Sequence, residues 1–209
     1  MIATTTYRLK LTFTAPLLGS QPSRELVTEY IAKRHGIELD DEERLLLPDL
    51  LERETTIFHR QTDGSPLLLN YHVLGFLKEA GKVLNGKAGA GRGVERGPAS
   101  GVRNLRWKVS AYVSVSPRLI PLRLPDGEQL DYFERPLRAE TARGPRVAIA
   151  RSEMAPTGTW IECGLEVISS EISQDVLLDL LDYGWSHGLG QWRSSGAFGT
   201  FRYELDQET

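Results

Sequence analysis

The sequence predicts an α+β fold whose core elements follow the order strand, helix, strand, strand, helix, strand. Two observations carry this prediction. Segments in which apolar and polar residues alternate indicate half-buried strands, and segments with apolar residues at helical spacing lie between them. A third observation sets the scale: 209 residues with 40% apolar residues suffice for one domain with a buried core. We therefore expect a single domain over 1–209.

The first half of this core is predicted from two segments. A strand is expected over 6–14, where Tyr7, Leu9, Leu11 and Phe13 alternate with polar residues. A helix is expected over 71–84, because its apolar residues form one face. Gly75 and Gly81 each disfavour that helix by about 1 kcal/mol, so close packing is the expected reason for both.

The second half of the core begins with strands predicted over 107–115 and 159–167, both of which alternate. Ser173 is a suitable N-cap for the next helix, and a last strand is expected over 199–205. This is the ferredoxin-like β-α-β-β-α-β order, which occurs in nucleic-acid-binding sheets and in unrelated enzymes.

Three segments interrupt this core. Two insertions, 16–69 and 116–157, exceed ordinary loop lengths, which indicates a function beyond connection. A third segment, 85–105, is rich in glycine and basic residues and has few apolar ones, so it is expected to be a flexible basic loop.

The net charge of −3 conceals a strong asymmetry along the chain. Basic residues dominate 78–108, whereas acidic residues dominate 38–54. Such blocks are typical of nucleic-acid binding or of subunit assembly.

The compartment and the cofactor content are predicted from what the sequence lacks. A single cysteine, Cys163, excludes an internal disulfide and a cysteine-based metal site. No apolar run reaches the roughly 18 residues that a membrane span needs, and the N-terminus lacks a signal-peptide pattern. We expect a cytoplasmic protein with no membrane partner, no cofactor and no metal.

The most specific motif is the segment 188–199 (GLGQWRSSGAFG), called here the glycine-rich segment. Its glycines permit close backbone approach, and successive backbone N–H groups in such turns hold anions. Arg193 offers a guanidinium fork for phosphate, Ser194 offers a hydroxyl donor, and Trp192 offers a ring for base stacking. On spacing alone, a plain turn before an edge strand explains the glycines as well.

Together with Phe201, this segment resembles the C-terminal glycine-rich loop of the RAMP superfamily, the repeat-associated proteins of CRISPR effector complexes. Three upstream segments resemble other parts of that superfamily in the same order. They are 7–17 (YRLKLTFTAPL) for the first strand, 65–69 with 75–78 (SPLLL, GFLK) for the start of the first helix, and 151–160 (RSEMAPTGTW) for the third core strand.

The resemblance is greatest to the guide-RNA-binding backbone subunit, including phage or mobile-element relatives. It implies that 16–69 forms an outer helical subdomain and that 116–157 forms a thumb-like insertion. It also implies single-stranded or guide RNA, copies of the chain itself and other effector subunits as partners. The RNA-binding residues expected from motif and charge are Lys78, Lys82, Arg92, Arg96, Arg103, Arg138, Arg143, Arg146, Gly188, Gly190, Trp192, Arg193, Ser194, Gly196 and Gly199.

Two other functions stay open at this point. The first is an endoribonuclease of the same superfamily, for which Glu54, Asp63 and His72 are the catalytic candidates. The second is an interaction protein, for example a decoy that binds effector subunits through the acidic block. The sequence favours a non-catalytic RNA-binding role over both.

Overall fold

The computed structural model describes residues 4–22, 55–85, 97–141, 144–193 and 195–208, with the backbone alone at 137–141 and 144–148. The helices predicted in the first insertion fall within 23–54, and the centre of the predicted basic loop falls within 86–96. Both lie outside the described residues. The described strands are β1 (Thr5–Phe13), β2 (Leu17–Leu18), β3 (Gln21–Pro22), β4 (Thr55–Ile57), β5 (His59–Arg60), β6 (Pro66–Leu69), β7 (Val113–Ser116), β8 (Leu119–Pro121), β9 (Asp131–Thr141), β10 (Gly144–Ala155), β11 (Trp160–Val167) and β12 (Phe201–Glu208). The described helices are α1 (Asn70–Leu84), α2 (Pro98–Gly101), α3 (Leu105–Tyr112) and α4 (Gln174–Asp182).

The main sheet has four strands in the order β12-β1-β11-β7, and every neighbouring pair is antiparallel. If the four core strands are numbered in chain order, they lie across the sheet in the order 4-1-3-2. With α1 after β1 and α4 after β11, it is the ferredoxin-like arrangement. The predicted fold class is therefore confirmed.

One face of this sheet is buried and the other faces solvent. In the register, Leu9 lies opposite Cys163 on one side and Leu205 on the other. Leu9 and Leu11 are fully buried, whereas Arg8 is exposed. The predicted alternation of β1 and β11 is thus reproduced, because a side-chain period of two places every second residue against the helices.

Helices α1 and α4 cover the buried face. Phe76 and Leu77 of α1 and Leu177 and Leu180 of α4 belong to the same apolar core. Helix α4 begins as predicted, because the Oγ atom of Ser173 accepts a hydrogen bond from the Val176 N–H group at 3.4 Å.

The strand predicted over 107–115 is wrong for most of its length. Residues Leu105–Tyr112 form helix α3, and only Val113–Ser116 form a strand. Leu105 and Val109 lie four residues apart on one side of the helix and are fully buried. Gly81 lets Leu105 pack closely against α1, since a Cβ atom at position 81 would lie 3.3 Å from the Leu105 Cγ atom. Packing against α1 thus overrides the alternation of small apolar residues.

The second insertion contains a long antiparallel hairpin formed by β9 and β10, in the position where a thumb-like insertion was expected. The far edge of β10 pairs with β2 through Met154 and Ala155, and with β4 through Arg151 and Ser152. The base of the hairpin is thereby attached to the first insertion. Within the described parts of the chain, no helix is long and apolar enough to cross a membrane.

Candidate nucleic-acid interface

The glycine-rich segment joins the turn after α4 to β12 and folds back on itself. The Leu189 N–H group donates to the Gly199 carbonyl oxygen at 3.0 Å, and the Gly199 N–H group donates to the Pro16 carbonyl oxygen at 2.8 Å. A Cβ atom at Gly188 would lie 2.0 Å from the carbonyl carbon of Gly199. The fold itself therefore requires glycine here, independently of any ligand.

Arg193 projects from this segment toward α1, where its guanidinium pairs with the Glu79 carboxylate. The arginine side chain keeps 39% of its surface exposed. Because a guanidinium has five N–H donors and this contact uses one nitrogen, Arg193 retains donors for an anion. Ser194, the neighbouring candidate, lies outside the described residues.

The Trp192 side chain contacts the hairpin formed by β9 and β10. The guanidinium carbon of Arg135 lies 4.4 Å from the centre of the Trp192 ring, and the Phe133 ring meets Trp192 edge-on at 6.1 Å. Phe133 also packs on Phe198, with 4.9 Å between ring centres. The hairpin and the glycine-rich segment thus share one cluster of aromatic rings and a guanidinium.

A second guanidinium–aromatic pair lies beside this cluster on the hairpin. The Arg151 guanidinium carbon is 3.9 Å from the centre of the Tyr132 ring, and its Nε atom is 3.5 Å from the Glu134 carboxylate. Tyr132 is 45% exposed. Stacked arginine and aromatic side chains of this kind suit the flat bases and the charged backbone of a single strand.

Gln191 connects the glycine-rich segment to the neighbouring strands, a role that no sequence pattern indicates. Its Oε1 atom accepts hydrogen bonds from the Ser152 hydroxyl at 3.2 Å and the Thr56 hydroxyl at 3.4 Å. Those two hydroxyls are themselves 2.8 Å apart. This polar network fixes the glycine-rich segment relative to β4 and β10.

A cleft of about 270 Å³ opens between the first turns of α1, the turn after β2 and the glycine-rich segment. Its lining includes Ser20, Tyr71, His72, Gly75, Gly190 and Arg193. The structure therefore brings together three candidate residues from the sequence, His72, Gly190 and Arg193, and adds Ser20 and Tyr71, which no sequence pattern indicates.

His72 is a hydrogen-bond donor toward this cleft. Its Nδ1 atom accepts from the Leu69 N–H group at 3.1 Å, so in the neutral ring the proton resides on Nε2, 3.5 Å from the Ser20 hydroxyl. Burial lowers the pKa of His72, and the nearby His59 and Arg193 lower it further. A neutral ring whose accepting nitrogen is already occupied suits ligand binding better than proton abstraction.

Asp63, another catalytic candidate, does not line this cleft. The Asp63 carboxylate accepts hydrogen bonds from the Ser65 N–H group at 2.9 Å and the Ser65 hydroxyl at 2.6 Å, which stabilise the turn before β6. These bonds lower the pKa of Asp63. Glu54 lies outside the described residues. Among the residues that the structure describes, no group of histidine, cysteine and carboxylate side chains forms a metal site.

The remaining basic candidates are placed only in part. Lys78 and Lys82 lie one turn apart on α1, and Arg103 is exposed before α3. Arg138 and Arg146 lie on the two strands of the hairpin, opposite Val147 and Ala139. Arg92, Arg96 and Arg143 lie outside the described residues. Gly196 lies in the turn after Trp192, to whose carbonyl oxygen its N–H group donates at 2.8 Å.

The solvent-facing side of the main sheet has the opposite electrostatic character. Its outward positions carry Glu162, Glu166, Glu204, Asp206 and Glu208 against Arg8, Lys10 and Arg202. Arg8 pairs with Asp206 at 3.3 Å and Lys10 with Glu204 at 2.9 Å. Sheets that bind RNA on this side usually present several aromatic rings, whereas here Trp160 is the aromatic residue at these positions. The acidic sheet face is thus poorly suited to RNA.

Comparison with known proteins supports the fold. No known family profile matches the sequence, and no curated protein matches it. Among solved structures, a chain of the "Cryo-EM structure of the Type III-B Cmr-beta bound to cognate target RNA" matches with a TM-score of 0.50 and 11% sequence identity. The match covers 98% of this chain and 61% of that chain. At this identity the likeness shows a shared fold.

Proposed function

We propose that this chain is an RNA-binding backbone subunit of a CRISPR-type ribonucleoprotein effector complex, which assembles with copies of itself along a guide RNA without a cofactor. The fold match to a chain of an RNA-bound Type III-B complex supports this assignment. The motif resemblance in four segments of the sequence supports it independently.

The observation that carries the proposal is the stack of Arg135 on Trp192. It joins a cation from the hairpin to an aromatic ring of the glycine-rich segment, 4.4 Å apart. Arg193 lies next to Trp192 in the chain and adds a second guanidinium. A cation can bind a phosphate group and an aromatic ring can stack on a base. This junction therefore offers both kinds of contact to one RNA strand.

The test measures binding of the purified full chain to a fluorescein-labelled oligouridine by fluorescence anisotropy over a series of salt concentrations. We expect saturable binding that weakens as salt rises, because bound phosphates release counterions. Arg135→Ala should weaken binding about tenfold, which corresponds to about 1.4 kcal/mol.

The matched control is Arg8→Ala, which removes an exposed, paired arginine from the acidic sheet face. We expect it to leave RNA affinity unchanged. Absence of binding at 50 mM salt, or equal losses in Arg135→Ala and Arg8→Ala, would contradict the proposal.

A further inference from the structure

Helix α3 and the end of β11 form an exposed surface, called here the α3 patch, which consists of Arg103, Arg106, Trp107, Tyr112 and Ile168. Trp107 is 61% exposed and Ile168 is 41% exposed. Tyr112 connects these two residues, because its ring meets the Trp107 ring edge-on at 5.7 Å and its carbonyl oxygen accepts from the Ile168 N–H group at 3.1 Å. Contiguous exposed apolar side chains of this kind are typical of contact surfaces.

The α3 patch also carries two cations. Arg103 and Arg106 are both exposed, and among the residues that the structure describes neither guanidinium pairs with a carboxylate. The neighbouring Lys108, by contrast, pairs with Glu171 at 2.5 Å. The matching occupant therefore combines apolar side chains with carboxylates.

These features fit a polypeptide better than an RNA strand. Ile168 has no ring on which a base could stack, and Tyr112 is partly buried against the core, so Trp107 is the exposed ring of the patch. The carboxylates of Glu171 and, on the adjoining sheet face, Glu166 add negative charge near the patch. Phosphate groups would be repelled by that charge, whereas a polypeptide can place its own carboxylates selectively on the two arginines.

The acidic block 38–54 of this chain has the composition that the α3 patch requires. It contains eight carboxylates against two arginines, and six leucines lie among them. The block lies outside the described residues, so this comparison uses its sequence alone. Leucine side chains can cover Trp107 and Ile168, and carboxylates can pair with both guanidinium groups.

The acidic block and the α3 patch are attached at different ends of α1. The segment that contains the block runs from the end of β3 to the start of β4, and these two strands pair with each other. Ser20, just before β3, lies 3.5 Å from His72 in the first turn of α1. Helix α3 begins beside Gly81, in the last turn of α1 and about 14 Å further along the helix axis. A block at one end and a patch at the other let each copy bind the next in the same direction, which is a heterologous interface.

We infer that the α3 patch is the docking site for the acidic block of a second copy of this chain. The inference rests on the proposed function, in which copies assemble along one RNA strand, and it assigns the two surfaces through which they meet. Arg103, a candidate RNA contact from the sequence, binds carboxylates in this assignment.

The first test measures self-association of the purified full chain, freed of nucleic acid, by sedimentation velocity over a series of protein concentrations at low salt. We expect the wild type to associate and Trp107→Ala to associate about thirtyfold more weakly, which is the loss typical of an interface hot spot. Trp185→Ala is the matched control, because Trp185 follows α4 outside the patch and is 77% exposed. It should associate as the wild type does.

A mixing experiment distinguishes a second copy from docking within one chain. A block variant carries Glu42→Lys together with Glu43→Lys, which places like charges against Arg103 and Arg106. We expect this variant and Trp107→Ala each to be monomeric alone. Their equimolar mixture should form a dimer and nothing larger, since only one intact patch and one intact block remain to pair.

Each result decides the inference. A dimer in the mixture and unchanged oligouridine affinity in Trp107→Ala support it. A mixture that stays monomeric, a block variant that associates as strongly as the wild type, or weaker RNA binding with intact self-association in Trp107→Ala would overturn it. Because sedimentation is measured without RNA, a wild type that binds oligouridine and remains monomeric overturns the docking site and leaves RNA binding standing. A chain that associates through the patch and binds no RNA does the reverse.

Discussion

His72 shows how a single hydrogen bond determines what a residue can do. Its Nδ1 atom is occupied by the Leu69 N–H group, which leaves only the protonated Nε2 atom toward the cleft. Protonation of Nδ1 would break this bond and place a second positive charge near Arg193. Burial, followed by the nearby charge of His59, lowers the pKa of His72, so the folded state favours the neutral ring.

The pH dependence of stability follows from this preference. Since the folded-state pKa of His72 is lowered, the unfolded chain binds more protons once the pH falls below the ordinary histidine value of about 6.5. We expect the free energy of unfolding to decrease from pH 7.5 to pH 5.5, as measured by urea denaturation. The free energy of unfolding of His72→Gln should decrease less over this range, because glutamine can accept from the Leu69 N–H group and does not titrate.

His59 also has a pKa lowered by burial, so His59→Gln should separately remove part of the pH dependence. The rings of the two histidines are 6.1 Å apart, and the double variant should therefore be the least sensitive to pH. An identical loss of stability between pH 7.5 and 5.5 in wild type and His72→Gln would contradict this account.

At the scale of elements, an ion pair with a buried carboxylate attaches the hairpin to the first insertion. Glu153 of β10 is 4% exposed, and its carboxylate pairs with Arg60 of β5. The same carboxylate accepts a hydrogen bond from the Phe58 N–H group at 2.9 Å. Through these contacts, Glu153 holds the first and second insertions together below the cluster around Trp192.

Removal of the Glu153 carboxylate should therefore be costly. Glu153→Ala leaves the Phe58 N–H group without its acceptor, whereas the exposed Arg60 guanidinium can be hydrated, and we expect a loss of about 2 kcal/mol in the free energy of unfolding. Glu153→Gln should lose less, because its amide oxygen still accepts from Phe58. Urea denaturation measures the loss in both variants. Arg8→Ala, which breaks an exposed ion pair, is the control and should lose less than about 1 kcal/mol. A loss of that small size in Glu153→Ala would contradict the role assigned to the pair.

The elements differ in how far local sequence predicts them. Strand β1 and helix α4 follow from alternation and from the Ser173 cap, because each buries one face along its whole length. Helix α3 does not, since its direction of packing depends on Gly81, which lies 24 positions before Leu105 in the chain. The sequence pattern of small apolar residues fits a strand as well as a helix, and only the tertiary contact decides between them.

Some residues that line the candidate site were expected from the sequence, whereas Ser20, Tyr71 and Gln191 and the geometry of the site were not. Local motifs identify Trp192, Arg193 and His72, because glycine, arginine and histidine chemistry is visible in a short window. The partners Glu79 and Arg135 come from elements that are distant in sequence, with Glu79 lying 114 positions from Arg193. No local pattern indicates such pairs, since the fold alone brings them together.

At the scale of the whole molecule, the two sides of the fold differ in chemistry. The side formed by α1, the hairpin and the glycine-rich segment carries guanidinium groups on aromatic rings and a donor-lined cleft. The acidic sheet face carries more carboxylates than cations, two of which are already paired. We therefore expect a polyanion to be attracted to the first side and repelled by the second.

The most direct test of this account is photocrosslinking of the full chain to an oligouridine that contains 4-thiouridine, followed by mass spectrometry of the linked peptides. We predict links to the peptides that contain Tyr71, Tyr132 and Trp192, each of which lies at the cleft or at the base of the hairpin. Links concentrated on the peptide that contains Trp160, on the acidic sheet face, would contradict RNA binding at the cleft and the hairpin.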